Sequence, residues 1–242
     1  MNPNFAVRDR EYEERGGNDS EPNLRSWKSG ALRAADLVSK VITPQLVGVV
    51  VVLIFSFLSP IGTGPRLNSL ECFLIGIVFI VVLPISPVLV AYALGKVDIW
   101  VSSREARTPY FVWAIFMYAV GTLIFFFAES IAMYAISLTY VFVTLSVTLI
   151  NLKWKISIHA AGISGPSTAL AYVFGILALP TLFFIILVIW ARTKLKAHTL
   201  GQSVAGAIVA VPIALGSYAL AYPTWNPVFW FTALLHNFLA LF

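Results

Sequence analysis

Three short polar stretches hold nearly all the residue types able to do chemistry in an otherwise apolar chain. The first runs from Lys96 to Pro109 and contains Asp98, Arg104, Glu105 and Arg107. The second runs from Lys153 to Pro166 and contains Lys155, Ser157, His159, Gly162, Ser164 and Gly165. The third runs from Arg192 to Gln202 and contains Lys194, Lys196 and His198. Two of the chain's three histidines fall in these stretches. Arginine forks bind phosphoryl oxygens bidentately and lysine binds them as a point charge. One histidine can attack phosphorus while a second protonates the leaving oxygen. Fixed cations stabilise the charge that develops on the transferring group. The inventory therefore suits phosphate chemistry.

Spacing supports a shared site. His198 and Gln202 are one helical turn apart and face the same way. Gly162, Gly165 and Pro166 precede an apolar run, as at a tight loop opening a helix, where free backbone N–H groups favour an anion. Other polar residues have simpler roles. Lys28, Lys40, Lys153, Lys194 and Lys196 read as snorkelling anchors at helix ends. His236 reads as an interfacial polar group, and Cys72, the only cysteine, as a small packing residue without a disulfide partner.

What must position these stretches is membrane helix. Of the 242 residues, 59% are hydrophobic and only 11% charged, against roughly 25% charged in soluble domains. Residues 1–40 hold seven of the sixteen basic and seven of the eleven acidic residues. A bilayer core requires about 20 apolar residues per helix. Eight segments meet or approach that length: 41–59, 69–94, 109–128, 130–151, 159–178, 180–192, 199–221 and 226–241. Turn chemistry separates them at 59–65, 128–130, 179–180 and 222–227. Pro180 could instead kink one long helix. With eight spans, 15 of the 16 basic residues share one side, and only Arg66 lies opposite. Such bias marks the cytoplasmic side. The expectation is an all-α polytopic bundle of about six to eight spans, with both termini cytoplasmic.

Residues 1–36 form a polar cytoplasmic tail, and 37–242 the transmembrane domain. The first 24 residues lack the apolar run of a secretory signal. Residues 26–40 fit either an interfacial helix or a plain linker. The net charge of +5 reflects helix-end anchors, so no nucleic-acid partner is expected.

The three stretches, in order, resemble the signatures of the type 2 phosphatidic acid phosphatase superfamily. Arg192-x5-His198-x3-Gln202 resembles its Ser-Arg-x5-His-x3-Asp. Ser157-Ile158-His159 resembles its Ser-Gly-His, and Lys96…Arg104…Arg107-Thr-Pro109 its Lys-x6-Arg-Pro. The resemblance covers roughly residues 70–220. It is closer to a prokaryotic branch with His-Thr-x-x-Gln in the third signature. It implies a six-helix core, His198 as a nucleophile forming a phosphohistidine, and His159 as the proton donor to the leaving group. Gln202 would orient His198 in place of the family's aspartate. Lys96, Arg104 or Arg107, Ser157 and Arg192 would hold the phosphate. No metal or other cofactor is implied. The departures are Ala191 for serine, Ile158 for glycine, Gln202 for aspartate, and the stretched first signature.

The function expected is hydrolysis of a lipid phosphate or isoprenoid diphosphate at the plasma membrane. The alternative is a weak or inactive lipid-binding protein, acting as a homo-oligomer or as an accessory subunit of a membrane complex. A transporter would show internal repeats and ionisable residues within its spans, and none stands out. A metal-dependent prenyltransferase is disfavoured, because the four aspartates (Asp9, Asp19, Asp36, Asp98) are scattered.

Overall fold

The computed structural model describes residues 22–222, with side chains from residue 30. The expected span 226–241, His236 and the first 21 residues lie outside the described residues. Within them, every regular element is helical. In chain order these are α1 (Pro22–Val41), α2 (Pro44–Phe57), α3 (Ser69–Gly76), a π-helical segment (Ile77–Val82) and α4 (Leu83–Ala93). There follow a 3₁₀ turn (Glu105–Arg107), α5 (Thr108–Phe127), α6 (Ile131–Asn151), α7 (Ile158–Phe174), a second 3₁₀ turn (Gly175–Ala178), α8 (Pro180–Lys194) and α9 (Leu200–Ala221).

Five stretches are long and apolar enough to cross a membrane: Ser69–Ala93, Glu105–Phe127, Ile131–Asn151, Ile158–Ala178 and Leu200–Ala221. A sixth is reached if α1 and α2, bent by 47° between them, count as one. The protein is thus an integral-membrane helical bundle. Helices suit that solvent because they satisfy every backbone hydrogen bond internally. Large apolar side chains such as Leu123, Phe126, Leu149 and Ile186 remain exposed on its outside, as lipid contact requires.

Capping residues start the helices where the sequence supplies them. Thr43 accepts from the Leu46 N–H ahead of Pro44, and Ser157 accepts from the Ala160 N–H. Asn68 with Glu71, and Thr199 with Gln202, form reciprocal capping boxes. At the end opposite the basic loops, Arg66 pairs with Glu129 at 2.6 Å and donates to the Phe127 carbonyl. That staple closes the turn holding Gly62 and Gly64 against the α5–α6 corner.

The chain breaks between α7 and α8 rather than kinking. Gly175, at φ 60° and ψ −133°, ends α7, and α8 runs back, so that Arg192 at its far end lines the same cavity as His159 at the start of α7. With 15 residues, α8 is only about 22 Å long, short of the roughly 30 Å hydrocarbon core. Just after the π segment, α4 carries a proline of its own. Pro87 has no N–H for the Leu83 carbonyl. That carbonyl instead accepts from the Trp113 indole and the Ser86 hydroxyl, both at 2.8 Å.

The core is α7, packed on α6 and most extensively on α9. The approach is close: a Cβ on Gly206 of α9 would sit 2.5 Å from the Ser157 carbonyl. The Ser157 N–H donates to the Gln202 carbonyl at 3.2 Å, which fixes the register. Gly206→Leu should therefore overpack this contact and lower stability by about 1–3 kcal/mol. Thermal unfolding in detergent measures it; a melting temperature equal to wild type would show that α9 does not approach α7 so tightly.

Candidate functional site

A cavity of about 510 Å³ opens among α2, the π turn, α4, α5, α6 and α7. Its two ends differ. At one end stand Trp100, Val101, Arg107, His159, Arg192 and His198. Beyond them the walls are mostly apolar or aromatic, among them Ile80, Val81, Val88, Tyr118, Tyr140 and Val143, with Thr43, Gln45 and Thr144 as polar exceptions. Among the described residues, no carboxylate lines it.

Arg107 is 3% exposed. Its Nε donates to the Val101 carbonyl at 2.8 Å. Val101 can present that carbonyl because the preceding loop is tightly bracketed. Asp98 accepts from the Trp100 N–H and from the Ser102 N–H and hydroxyl, and Val101 takes the left-handed φ of 42°. Although partial burial pushes the Asp98 carboxyl up, these hydrogen bonds outweigh it and hold the pKa below the usual value. The same loop sets the Trp100 ring 5.1 Å from the His159 ring, centroid to centroid, and 5.9 Å from the Arg192 Cζ.

His159 is the second residue of α7, two positions after its cap Ser157. Arg192 stands in the last turn of α8, buried, with Nη1 donating to the Ser39 hydroxyl at 2.8 Å. A tight turn follows, with Lys196 at φ 53°. Within it the Ala197 and His198 N–H groups both donate to the Arg192 carbonyl. Arg192 and His198 are thereby held together by backbone, and His198 is buried at the cavity wall.

Four buried side-chain nitrogens here have no hydrogen-bond partner: Arg107 Nη1, Arg192 Nε, His159 Nε2 and His198 Nδ1. Buried polar groups are ordinarily satisfied, and a buried charge is expensive unless paired. Among the described residues, two guanidinium groups and two imidazoles line this space without a carboxylate, an arrangement chemically suited to an anion. His198 feels that field. Burial, then the charges of Arg192, Arg107 and Lys155, push its pKa down to about 3, while the Gln202 side chain pulls weakly the other way. Lys155 is likewise lowered, first by burial and then by Arg107 and Arg192.

The expected site residues thus divide. His159, His198, Arg107 and Arg192 converge on the cavity. Lys96 is exposed, in the turn after Gly95, and Lys96, Arg104 and Ser157 do not line the cavity. Arg104 donates to the Asn151 and Leu152 carbonyls at the end of α6 and pairs with Glu105. Ser157 caps α7 and bonds α9 through its backbone. Gln202 has two neighbours: its Oε1 accepts from the Thr199 N–H at 3.1 Å in the capping box, and its side chain also lies within hydrogen-bonding reach of His198, whose pKa it raises against the larger downward pull. Two residues were not singled out from sequence. Trp100 falls inside the first polar stretch without a motif of its own, and Ser39, 153 positions from Arg192, gives no signal. No family model, curated protein or solved structure matches the chain.

The His198 shift has a consequence for stability. Its folded pKa of about 3 lies below the roughly 6.5 of free histidine. The unfolded chain therefore takes up the proton first as pH falls. The folded state has its full stability above that window and loses it progressively from about pH 6.5 toward 3. His198→Asn should flatten the dependence of melting temperature on pH between 7 and 4. An unchanged slope would mean that His198 titrates normally.

Proposed function

We propose that the protein is a membrane phosphohydrolase of the type 2 phosphatidic acid phosphatase kind, acting on a lipid phosphate or isoprenoid diphosphate. One observation carries the reading: four unpartnered nitrogens on a carboxylate-free wall, at the end of a cavity whose remainder is mostly apolar. An amphiphile with a phosphate head and a hydrocarbon tail satisfies both ends. Orthophosphate alone would satisfy only one.

Arg107 and Arg192 would take the phosphoryl oxygens, bringing negative charge to guanidinium groups that have only neutral hydrogen-bond partners. Neutral His198, kept unprotonated by burial and by the neighbouring cations, would attack phosphorus. A nitrogen–phosphorus bond forms as the phosphorus–oxygen bond to the leaving group breaks, and protonated His159 gives its proton to the departing oxygen. The bound phosphate's negative charge makes a protonated His159 tenable. Water then attacks the phosphohistidine, His159 accepts its proton, and phosphate leaves with His198 restored. Trp100 would hold the His159 ring and cover Arg192.

The basic loops would face the cytoplasm, at the plasma membrane. A second reading rests on Gln202, a neutral amide that also caps α9. Without a carboxylate there to stabilise the imidazolium, the protein would bind lipid phosphates without turnover, as a homo-oligomer or a subunit of a membrane complex.

Purified protein in detergent, given phosphatidate and a polyprenyl diphosphate, distinguishes the two. Turnover should fall to background in His198→Ala, and by about 10²–10⁴ in His159→Ala, the usual contribution of a positioned acid. An unchanged rate in His198→Ala would sink the mechanism, and tight binding without phosphate release would favour the second reading.

A further inference from the structure

Arg192 lies on α8, yet the side-chain hydrogen bond holding its guanidinium comes from α1. Ser39 accepts from Nη1 at 2.8 Å, and both residues are buried, at 2% and 7% exposure. Ala35 and Ser39 are four residues apart, so they share a face of α1. Both are buried where α1 packs on α8, whose Val188, Ala191 and Arg192 are buried in turn. Serine stands before this arginine in the signature that residues 192–202 resemble, whereas this chain has Ala191, fully buried. A methyl group at 191 lets α1 approach, and the hydroxyl then arrives from across the helix pair. The remaining restraint on the guanidinium is the Trp100 face, which fixes the plane less firmly than a hydrogen bond.

We propose that Ser39 is a positioning residue for Arg192, and that α1 is therefore part of the anion site rather than an accessory to the bundle. Ser39 has no nitrogen or charge of its own to offer a phosphate. It orients the guanidinium so that Nε, which has no partner, faces the ligand. The inference rests on the phosphate-binding reading above.

The test uses the full chain in detergent and orthophosphate as the probe, with binding measured by calorimetry and folding checked by the melting temperature. A hydrogen bond to a charged group is worth about 1.5–3 kcal/mol, so S39A should weaken orthophosphate binding about tenfold or more. S39T keeps the hydroxyl and should stay within about threefold of wild type. In an R192K background S39A should add nothing, since the two residues act as one unit. With substrate, S39A should raise KM more than it lowers kcat. The proposal is overturned if S39A binds orthophosphate like wild type, if S39T loses as much as S39A, or if S39A weakens binding equally in the R192K background. Wild-type protein that binds no orthophosphate would remove the phosphate reading itself, whereas wild-type binding with an unaffected S39A would remove only the role of Ser39.

Discussion

Positive charge buried without a counter-charge is the constraint around which this bundle is organised. Arg107 and Arg192 are almost wholly inside, beside two imidazoles, and among the described residues no carboxylate lines the space they face. Taking such groups from water is costly unless they are paired. The fold reduces that cost with neutral partners that leave part of each guanidinium free. The Val101 carbonyl takes one hydrogen bond from Arg107, and the Ser39 hydroxyl takes one from Arg192. A carboxylate in either place would neutralise the arginine and fill the anion's position. Asp98 is close enough to influence Arg107 electrostatically, but its own oxygens are engaged by Ser102 and Trp100.

That solution explains why an irregular loop belongs to the site. A helix turns its carbonyls along its own axis, where they are already used. Presenting a free carbonyl to Arg107 requires backbone outside a helix, and Val101 supplies it in a left-handed conformation. Non-helical backbone is tolerated in a membrane protein where protein surrounds it or it lines a cavity. The Asp98 bracket supplies the internal hydrogen bonds that such backbone otherwise lacks.

The sequence made the bundle legible because hydropathy in a bilayer is nearly a direct readout of helix placement. Residues 69–93, 131–151 and 200–221 fall almost where apolar length puts them. Four of the cationic or imidazole residues were legible for a similar reason: order and spacing along the chain place them at one end of adjacent helices. Spacing does not say which way a loop side chain turns. Arg104 is drawn to the free carbonyls ending α6, the general attraction of a helix C-terminus for a cation. Lys96 follows a left-handed glycine and points away from the cavity wall. Ser39 was illegible because helix–helix packing leaves no local pattern.

Backbone rather than side chains sets the relative placement of the two histidines. His159 follows Ser157, whose N–H is fixed to the Gln202 carbonyl of α9. His198 precedes α9 and is tied through its own N–H to the Arg192 carbonyl of α8. The starts of α7 and α9 and the end of α8 thus form one hydrogen-bonded corner, tightened where Gly206 admits the Ser157 carbonyl. Because main-chain groups hold this corner, the reactive nitrogens need not be spent in holding it. Arg107 Nη1, Arg192 Nε, His159 Nε2 and His198 Nδ1 are left without a hydrogen-bond partner among the described residues.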